Sequence, residues 1–316
     1  MSNANLNAAK KAKNDEFYTM YEDIENELQH YPGAFEGKIV YCNCDNPEWS
    51  NFWKYFHLNF EKLGLKKLIS THYEKDIETN GHPYKMEYEG GNDADITAGV
   101  KTPLAGNGDF ASDECIEVLK EADVVVTNPP FSVFKKYIQT LFDFKKKFFI
   151  ICNKQCWTFK NIFPHIKNGN AMIGYTTPKE FFTIDKKKEK FGNIGWLVCA
   201  DGLLVRELPP PHKKLALTKT YNPADYQTYD NFEAINVNRV CDIPRDYGGI
   251  MGVPVSFIDK YNPEQFELIG HSNDKKGNYG DGVKPGGYAQ IGGKRVYIRV
   301  FIKNRHPESP ADSQTQ

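Results

Sequence analysis

Short apolar runs alternate with amphipathic segments through the first half of the chain. Four runs have the length and composition of buried strands, at residues 38–44, 68–73, 122–127 and 147–153. Apolar positions at helical spacing separate them, in segments near 47–63, from 112 onward and at 132–144. This alternation predicts an α/β fold, with a Rossmann-like, doubly wound and mostly parallel sheet flanked by helices.

The pattern changes in two places. Between residues 74 and 109 glycines interrupt any period, which predicts a loop-rich insertion. Runs typical of β-hairpins begin near residue 171, and three successive prolines at 209–211 form a stiff connector. We therefore expect a catalytic domain at 1–205 and a smaller α+β or β-rich region at 206–316.

Neither a membrane segment nor a secretion signal stands out. No run of about 18 apolar residues occurs, and residues 1–13 are mainly polar. The seven cysteines are odd in number and lack the paired spacing of a zinc site. We expect a cytoplasmic protein with reduced thiols, no bound metal and no membrane contact.

Charge divides the chain, although the net charge is only −1. Residues 1–143 carry 14 Lys and Arg against 24 Asp and Glu, a net charge of −10. Residues 144–316 carry 26 against 17, a net charge of +9. A basic C-terminal half favours contact with phosphate groups, and merely solvated basic surface is the alternative.

The most specific chemical feature is the segment 123–132, with the sequence DVVVTNPPFS. An apolar strand ends in Asn128, Pro129, Pro130 and Phe131 and leads into a predicted helix, where α/β sheets bind ligands. The prolines stiffen the backbone and donate no N–H, so the Asn128 side-chain oxygen and the Pro129 carbonyl can both accept from one amino group. Phe131 offers a flat apolar face to a planar ring.

This arrangement suits methyl transfer to an aromatic amine. Two acceptors on the amine hydrogens draw the nitrogen toward tetrahedral geometry and free its lone pair for attack on a sulfonium methyl group, without a metal or a strong base. A nucleobase must leave the duplex to reach such a pocket. The alternative for residues 128–131 is an ordinary turn, because Asn and Pro favour turns.

Longer stretches of the chain resemble one family. They are KNDEFYTMYEDIENEL at 13–28, IVYCNCDNPEWSNFWKYF at 39–56, the NPPF segment and MGVPVSFIDKYNPEQFELIG at 251–270, and they are similar to the EcoRI-type adenine-specific DNA methyltransferases. The resemblance implies a class I methyltransferase fold with S-adenosyl-L-methionine as cofactor. It also implies methylation of N6 of a flipped-out adenine at a specific DNA site.

The resemblance further implies cofactor-binding residues in three places. They are Asp15, Phe17, Tyr18, Asn43, Cys44, Asp45, Asp109 and Phe110. The N-terminal segment matches the part that holds the methionine moiety, with helix capping as its alternative. The CNCD loop stands where most methyltransferases have a glycine-rich FxGxG, and the Asp-Phe pair resembles the site that binds the cofactor adenine.

Two further candidates follow from their positions. Glu74 is the nearest acid after the second strand, where a carboxylate can accept from the ribose hydroxyls, and an exposed loop carboxylate is the alternative. Trp196 is a candidate for packing beside the extruded base, and a place in the hydrophobic core is its alternative.

Basic residues of the second half, interleaved with tyrosines and glycines, are candidates for contact with DNA phosphates and base edges. They are Lys213, Lys214, Lys275, Lys276, Arg295 and Arg299. The expected partner is double-stranded DNA, bound by a monomer. A cognate restriction endonuclease acting on the same site is a further candidate partner.

Other functions fit part of this pattern. An Asn-Pro-Pro-aromatic site also serves enzymes that methylate a protein glutamine amide or an amino group in RNA. The basic C-terminal half favours a nucleic acid over a protein as substrate. The segments that resemble the EcoRI-type family favour adenine in DNA as the methylated base. A catalytically inactive DNA-binding protein would need a degraded motif, whereas residues 128–131 are all present.

Overall fold

The computed structural model describes residues 17–74, 77, 81–183, 187–201, 210–272 and 288–309, apart from the side chains of residues 17 and 183. The chain divides into two compact units. The first comprises Met1–Lys154 and Asn170–Leu208, and the second comprises Gln155–Gly169 and Pro209–Gln316. The assignment of catalysis to 1–205 and of target recognition to 206–316 stays a prediction.

A mixed sheet of eight strands forms the centre of the first unit. The strands of this unit are β1 (Phe17–Thr19), β2 (Ile39–Cys42), β3 (Lys67–Thr71), β4 (Tyr84–Tyr88), β5 (Val100–Pro103), β6 (Val124–Thr127), β7 (Lys147–Asn153), β8 (Met172–Ile173), β9 (Glu180–Thr183), β10 (Lys188–Lys190) and β11 (Ile194–Cys199). The order across the large sheet is β5-β4-β3-β2-β6-β7-β11-β8, and β1, β9 and β10 form a separate small sheet.

The direction of the strands differs between the centre and the margins of the large sheet. The central strands β3, β2, β6 and β7 pair in parallel, whereas the pairs outside them are antiparallel. The predicted mostly parallel arrangement therefore holds for the centre, and the complete sheet is mixed.

The described residues of the first unit form five α-helices, two of which begin after a capping serine. They are α1 (Tyr21–Leu28), α2 (Asn51–Leu58), α3 (Phe60–Leu63), α4 (Asp113–Glu121) and α5 (Phe134–Asp143). The Ser50 hydroxyl accepts from the backbone N–H groups of Phe52 and Trp53 at 3.1 and 3.4 Å, so the helix predicted at 47–63 starts at Asn51. Such a cap contributes about 1 kcal/mol.

The region between residues 74 and 109 contains β4 and β5, and the expected loop-rich insertion is to that extent wrong. In β4, buried Tyr84, Met86 and Tyr88 alternate with partly exposed residues, a period of two that the glycines nearby obscure. β5 is exposed along its length, as a strand at the sheet edge can be, so no apolar pattern marks it.

Aromatic side chains dominate the core of the first unit. Trp53, Phe56 and Phe149 are fully buried and belong to one cluster with Val124 and Val126 of β6. Burial of a large apolar side chain contributes about 1.5–3 kcal/mol. The core thus holds β6 in place, so that its carboxyl end presents the NPPF motif at the edge of the sheet.

The second unit has its own sheet. Its elements are the helix α6 (Phe163–Lys167) and the strands β12 (Ile235–Asn236), β13 (Ile250–Pro254), β14 (Phe266–His271), β15 (Gln290–Ile291), β16 (Lys294–Arg295) and β17 (Arg299–Asn304). Four strands form the order β12-β13-β17-β14, and β15 and β16 form a separate hairpin. Lys167 Nζ donates to the Ile269 carbonyl at 2.9 Å, which joins α6 to β14.

Candidate active site

The carboxyl ends of β2, β3 and β6 meet at one edge of the sheet because these strands are parallel. The loops at 43–46, 72–74 and 128–131 follow these three ends. The predicted cofactor loop, the acidic residue after β3 and the NPPF motif are therefore on the edge where α/β sheets bind ligands.

Asp45 is a buried carboxylate that ties the ends of three strands together. Its Oδ1 accepts a hydrogen bond of 2.8 Å from the Ser50 hydroxyl, and its Oδ2 accepts one from the Thr127 hydroxyl. Its main-chain carbonyl accepts from Ser70 Oγ at 2.5 Å. Both carboxylate oxygens thus face protein donors, which indicates that Asp45 shapes the loop, while its direct contact with a cofactor stays a prediction.

Asn43 is held from two sides. Its carbonyl accepts from the Thr127 hydroxyl, and its Oδ1 accepts from the Tyr137 hydroxyl. Burial raises the pKa of Tyr137 well above its ordinary value, so the phenol stays a proton donor at neutral pH. Within the described residues Asn43 Nδ2 has no hydrogen-bond partner, and this amide group can donate to a ligand.

Cys44 explains how the loop turns without the glycines of FxGxG. Its φ is +64°, in the left-handed region that glycine adopts readily and other residues rarely. The chain therefore turns here through a left-handed residue that is a cysteine, and this cysteine is partly buried.

The end of β3 is joined to the loop that precedes α4. The Glu74 backbone N–H donates to the Asn107 carbonyl at 3.0 Å. Gly108 has a φ of +74°, and a Cβ at this position would lie 2.2 Å from the His72 carbonyl oxygen. Only glycine allows this close approach, which brings Glu74 and Asp109 to the same part of the edge.

Asp109 and Phe110 are positioned by local contacts. Asp109 Oδ1 accepts from the Ala111 backbone N–H at 2.8 Å, while its other carboxylate oxygen has no partner in the part of the chain that is described. The Phe110 ring meets the Tyr137 ring edge-on, with 5.1 Å between centroids. The loop thus offers a free acceptor oxygen beside an aromatic ring, the chemistry needed to bind an adenine.

The NPPF motif follows directly from the buried strand β6. Thr127 is fully buried, and Phe131 is 6% exposed and packed in the main core cluster. Asn128 and Pro130 keep part of their surface exposed, whereas Pro129 is buried. The catalytic candidate Asn128 is therefore accessible rather than turned into the core.

The N-terminal segment reaches the same region through Thr19. Its carbonyl accepts from Asn51 Nδ2 at 2.7 Å, and its buried Oγ1 has no hydrogen-bond partner in the part of the chain that the structure describes. Phe17 and Tyr18 form β1 and pair with β9. Asp15 lies outside the described residues.

Trp196 lies in the hydrophobic core, which was the alternative to a place beside the extruded base. The indole is fully buried, and its ring meets that of Phe52 edge-on, with 6.0 Å between centroids. Trp196 belongs to β11, in which five of the six residues are buried. This placement gives no support to a contact with an extruded base.

The basic candidates separate into two groups. Lys213, Lys214 and Arg295 are exposed, as residues that contact DNA must be. Arg299 is 9% exposed, and its Nε donates to Asn236 Oδ1 at 3.2 Å, so it stabilises the second unit from within. Lys275 and Lys276 lie outside the described residues.

Four residues of the site were not predicted from the sequence. They are Ser50, Ser70, Thr127 and Tyr137, which bind the loops to one another. Ser50 carries a signal, since a serine before an aromatic-rich helix is a typical cap. The other three act on residues distant in sequence, and no local pattern marks them.

In the described residues, no group of three His, Cys, Asp or Glu side chains is placed to hold a metal ion. Over the same residues no helix has the length and hydropathy required to cross a membrane.

Comparison with known proteins agrees with the geometry. The chain matches the family described as adenine-specific methyltransferase EcoRI over residues 5–305. It is 42% identical to the type II methyltransferase M.EcoRI of Escherichia coli over 332 aligned positions, covering 96% of this chain and 97% of that protein. It is 36% identical to M.MgeORF184P of Mycoplasma genitalium and to M.MpnI of Mycoplasma pneumoniae, with 95% of this chain and 98% of each relative covered. No solved structure matches. The chain belongs to the EcoRI-type family of adenine-specific methyltransferases.

Proposed function

We propose that this site-specific DNA adenine methyltransferase takes its methyl group from S-adenosylmethionine and acts on an adenine that has left the duplex. Family membership establishes the enzyme class. The proposal concerns the cofactor, the extruded base, the Rossmann-like character of the fold and the residues that act on each. The observation that carries it is the partly exposed Asn128, which follows a buried strand at the edge shared with the cofactor loop.

The residues at this edge fit the cofactor chemically. Among the described residues, Asn43 Nδ2 and Thr19 Oγ1 have no hydrogen-bond partner, so both can donate to the carboxylate of a methionine moiety. Asp109 has one carboxylate oxygen to accept from an adenine amine, and Glu74 follows β3, where it can accept from ribose hydroxyls. S-adenosylmethionine supplies an electrophilic methyl group on a positively charged sulfur.

Asp45 contributes by holding these groups in place. Its carboxylate accepts from Ser50 and Thr127, and Thr127 immediately precedes Asn128. The cofactor loop and the catalytic motif are therefore fixed to each other through one buried hydrogen-bonded group. Such fixed geometry is the main contribution that a protein makes to a reaction dominated by positioning.

At the reacting centre, the Asn128 side-chain oxygen and the Pro129 carbonyl accept the two hydrogens of the adenine amine. These contacts strengthen as the nitrogen becomes tetrahedral, so they stabilise the transition state more than the ground state. Phe131, held in the core cluster, limits the space next to the amine, and the proline backbone keeps both acceptors in place.

Double-stranded DNA is the substrate, and exposed Lys213 and Lys214 in the second unit supply positive charge for its backbone. Arg295, also exposed, can reach either the backbone or the base edges. The adenine specificity of the family argues against a protein glutamine as substrate. The intact motif argues against a protein that only binds DNA. A monomeric, cytoplasmic enzyme and a restriction endonuclease with the same target remain part of the proposal.

The variants Asn128→Ala and Asn128→Asp test the role of Asn128. We expect Asn128→Ala to lower the rate of methyl transfer to bacterial genomic DNA about 100- to 1,000-fold, in line with the loss of one positioned hydrogen-bonding group. Asn128→Asp keeps an acceptor oxygen and should retain more activity. Binding of radiolabelled S-adenosylmethionine, measured by equilibrium dialysis, should change little in both. Normal methylation by Asn128→Ala would show that the assigned role is wrong.

A further inference from the structure

A tight β-hairpin at residues 288–297 stands out in the second unit. β15 and β16 pair with Gln290 opposite Arg295 and Ile291 opposite Lys294. The two residues between them, Gly292 and Gly293, have φ values of +56° and +73°. Two left-handed residues in a two-residue loop form the turn whose twist matches that of the flanking strands. The tip of the hairpin therefore has one preferred shape.

Side chains from the neighbouring loop hold this tip. The Asp230 carboxylate accepts from the backbone N–H of Gly292 at 3.0 Å and from that of Gly293 at 2.8 Å. Asn231 accepts from the Gln290 N–H at 3.1 Å and donates to the Tyr288 carbonyl at 3.0 Å. Three of these four contacts are exposed and the Asn231 contact with Tyr288 is partly buried. Together they fix the direction in which the hairpin projects.

The hairpin has one face in the core and one in solvent. Ala289 is fully buried, and Val296 packs against the same cluster, which contains Phe301. On the other face Arg295 is exposed, and its guanidinium carbon lies 3.0 Å from the centroid of the Tyr288 ring. This stacking restricts a flexible side chain, and the guanidinium N–H groups of Arg295 have no hydrogen-bond partner among the described residues.

Tyr297 is the second exposed group on this face. It is 70% exposed, the highest value among the exposed large hydrophobic side chains in the described residues. A large aromatic ring in water lacks the stabilisation that burial would give it. Its exposure two residues from the stacked Arg295 indicates a surface that contacts a partner molecule.

The positive charge of the hairpin indicates a partner that carries negative charge. Residues 288–297 include Lys294 and Arg295 and no acidic residue, and the nearby Asp230 carboxylate is occupied by two N–H groups. A two-stranded β-ribbon fits the major groove of DNA. An arginine whose side chain is restricted by stacking, as Arg295 is on Tyr288, can bind O6 and N7 of guanine.

We propose that the hairpin 288–297 enters the major groove and reads base identity through Arg295 and Tyr297, with Asp230 as the positioning residue for its tip. This inference rests on the proposed function, since it takes double-stranded DNA as the substrate. It assigns sequence recognition to a specific element and assigns DNA contact to Tyr297.

The test maps methylated adenines in genomic DNA from methylation-deficient bacteria that express each variant. The wild-type enzyme defines the methylated sequence. Arg295→Gln should relax that sequence at one position and lower kcat/KM on a duplex carrying the wild-type site about 10- to 100-fold. Tyr297→Ala should also relax it. Lys303→Gln, which removes an exposed charge from β17, is the matched control and should keep the wild-type sequence.

The role of Asp230 has its own readout. Asp230→Ala removes both acceptors and should relax the methylated sequence without changing KM for S-adenosylmethionine. Asp230→Asn keeps one acceptor and should restore part of the specificity. A thermal melt of each variant reports whether folding is preserved.

The outcomes separate the two proposals. If the wild-type enzyme leaves no methylated adenine, the proposed function fails. If it methylates a defined sequence and folded Arg295→Gln and Tyr297→Ala methylate the same sequence at the same rate, the hairpin proposal alone fails. A uniform loss of rate in Arg295→Gln with an unchanged sequence would mean a phosphate contact, and would also overturn base reading by Arg295.

Discussion

Thr127 offers the sharpest test of how the site is held together. Its hydroxyl, fully buried, is in hydrogen-bond contact with the Asn43 carbonyl and the Asp45 carboxylate. Thr127→Val replaces this hydroxyl with a methyl group of nearly the same size. The substitution leaves the packing intact, but removes one of the two hydroxyl donors that face the Asp45 carboxylate.

The size of the effect follows from the charge of the acceptor. A hydrogen bond to a charged group contributes about 1.5–3 kcal/mol. For a unit of 150–250 residues, about 2–4 °C of melting temperature corresponds to each kcal/mol. We therefore expect the melting temperature of Thr127→Val to fall by roughly 3–12 °C. Because Asn128 is the next residue, a shift of this strand end should also lower kcat/KM, by up to about 100-fold if the displacement approaches 1 Å.

The measurements are thermal unfolding and methyl transfer with labelled S-adenosylmethionine. Thr127→Ser keeps the hydroxyl and should recover most of the activity. Thr140→Val is the matched control, because its hydroxyl donates to the Lys136 carbonyl within helix α5 and its loss should change stability by about 0.5 kcal/mol or less. If Thr127→Val has the melting temperature and the kcat/KM of the wild-type enzyme, the hydrogen bond between the cofactor loop and the catalytic motif contributes neither to stability nor to activity.

Two further predictions concern a glycine and a carboxylate. Gly108→Ala should destabilise the fold and weaken binding of S-adenosylmethionine, because the new Cβ would lie 2.2 Å from the His72 carbonyl oxygen. Gly37→Ala is the control, since its φ is also positive but its surroundings are open, and it should cost only about 1 kcal/mol. Burial and the charge of Glu22 raise the pKa of Asp23, so its ionised form destabilises the folded state as pH rises above the unfolded value of about 3.9. Asp23→Asn should therefore melt higher than the wild-type enzyme at pH 7 and lose this advantage toward pH 4, and equal melting temperatures at pH 7 would contradict it.

Features that depend on neighbouring residues were predictable from the sequence. The strands β2, β3, β6 and β7 and the start of helix α4 near residue 112 were all predicted from periodicity. The NPPF motif was recognised for the same reason, because a rigid strand end with its acceptors is encoded in consecutive residues. The family resemblance was confirmed over residues 5–305.

Features that depend on distant partners required the tertiary structure. The sequence marks Asp45 as a cofactor candidate, but its carboxylate meets a hydroxyl 82 residues away, on Thr127. Trp196 could have stood at a pocket or in the core, and the packing of Phe52 against it decided for the core. The exposed edge strand β5 has no apolar pattern to detect. The local chain determines which conformations a segment prefers, whereas the role of a polar or aromatic side chain depends on what the rest of the chain places against it.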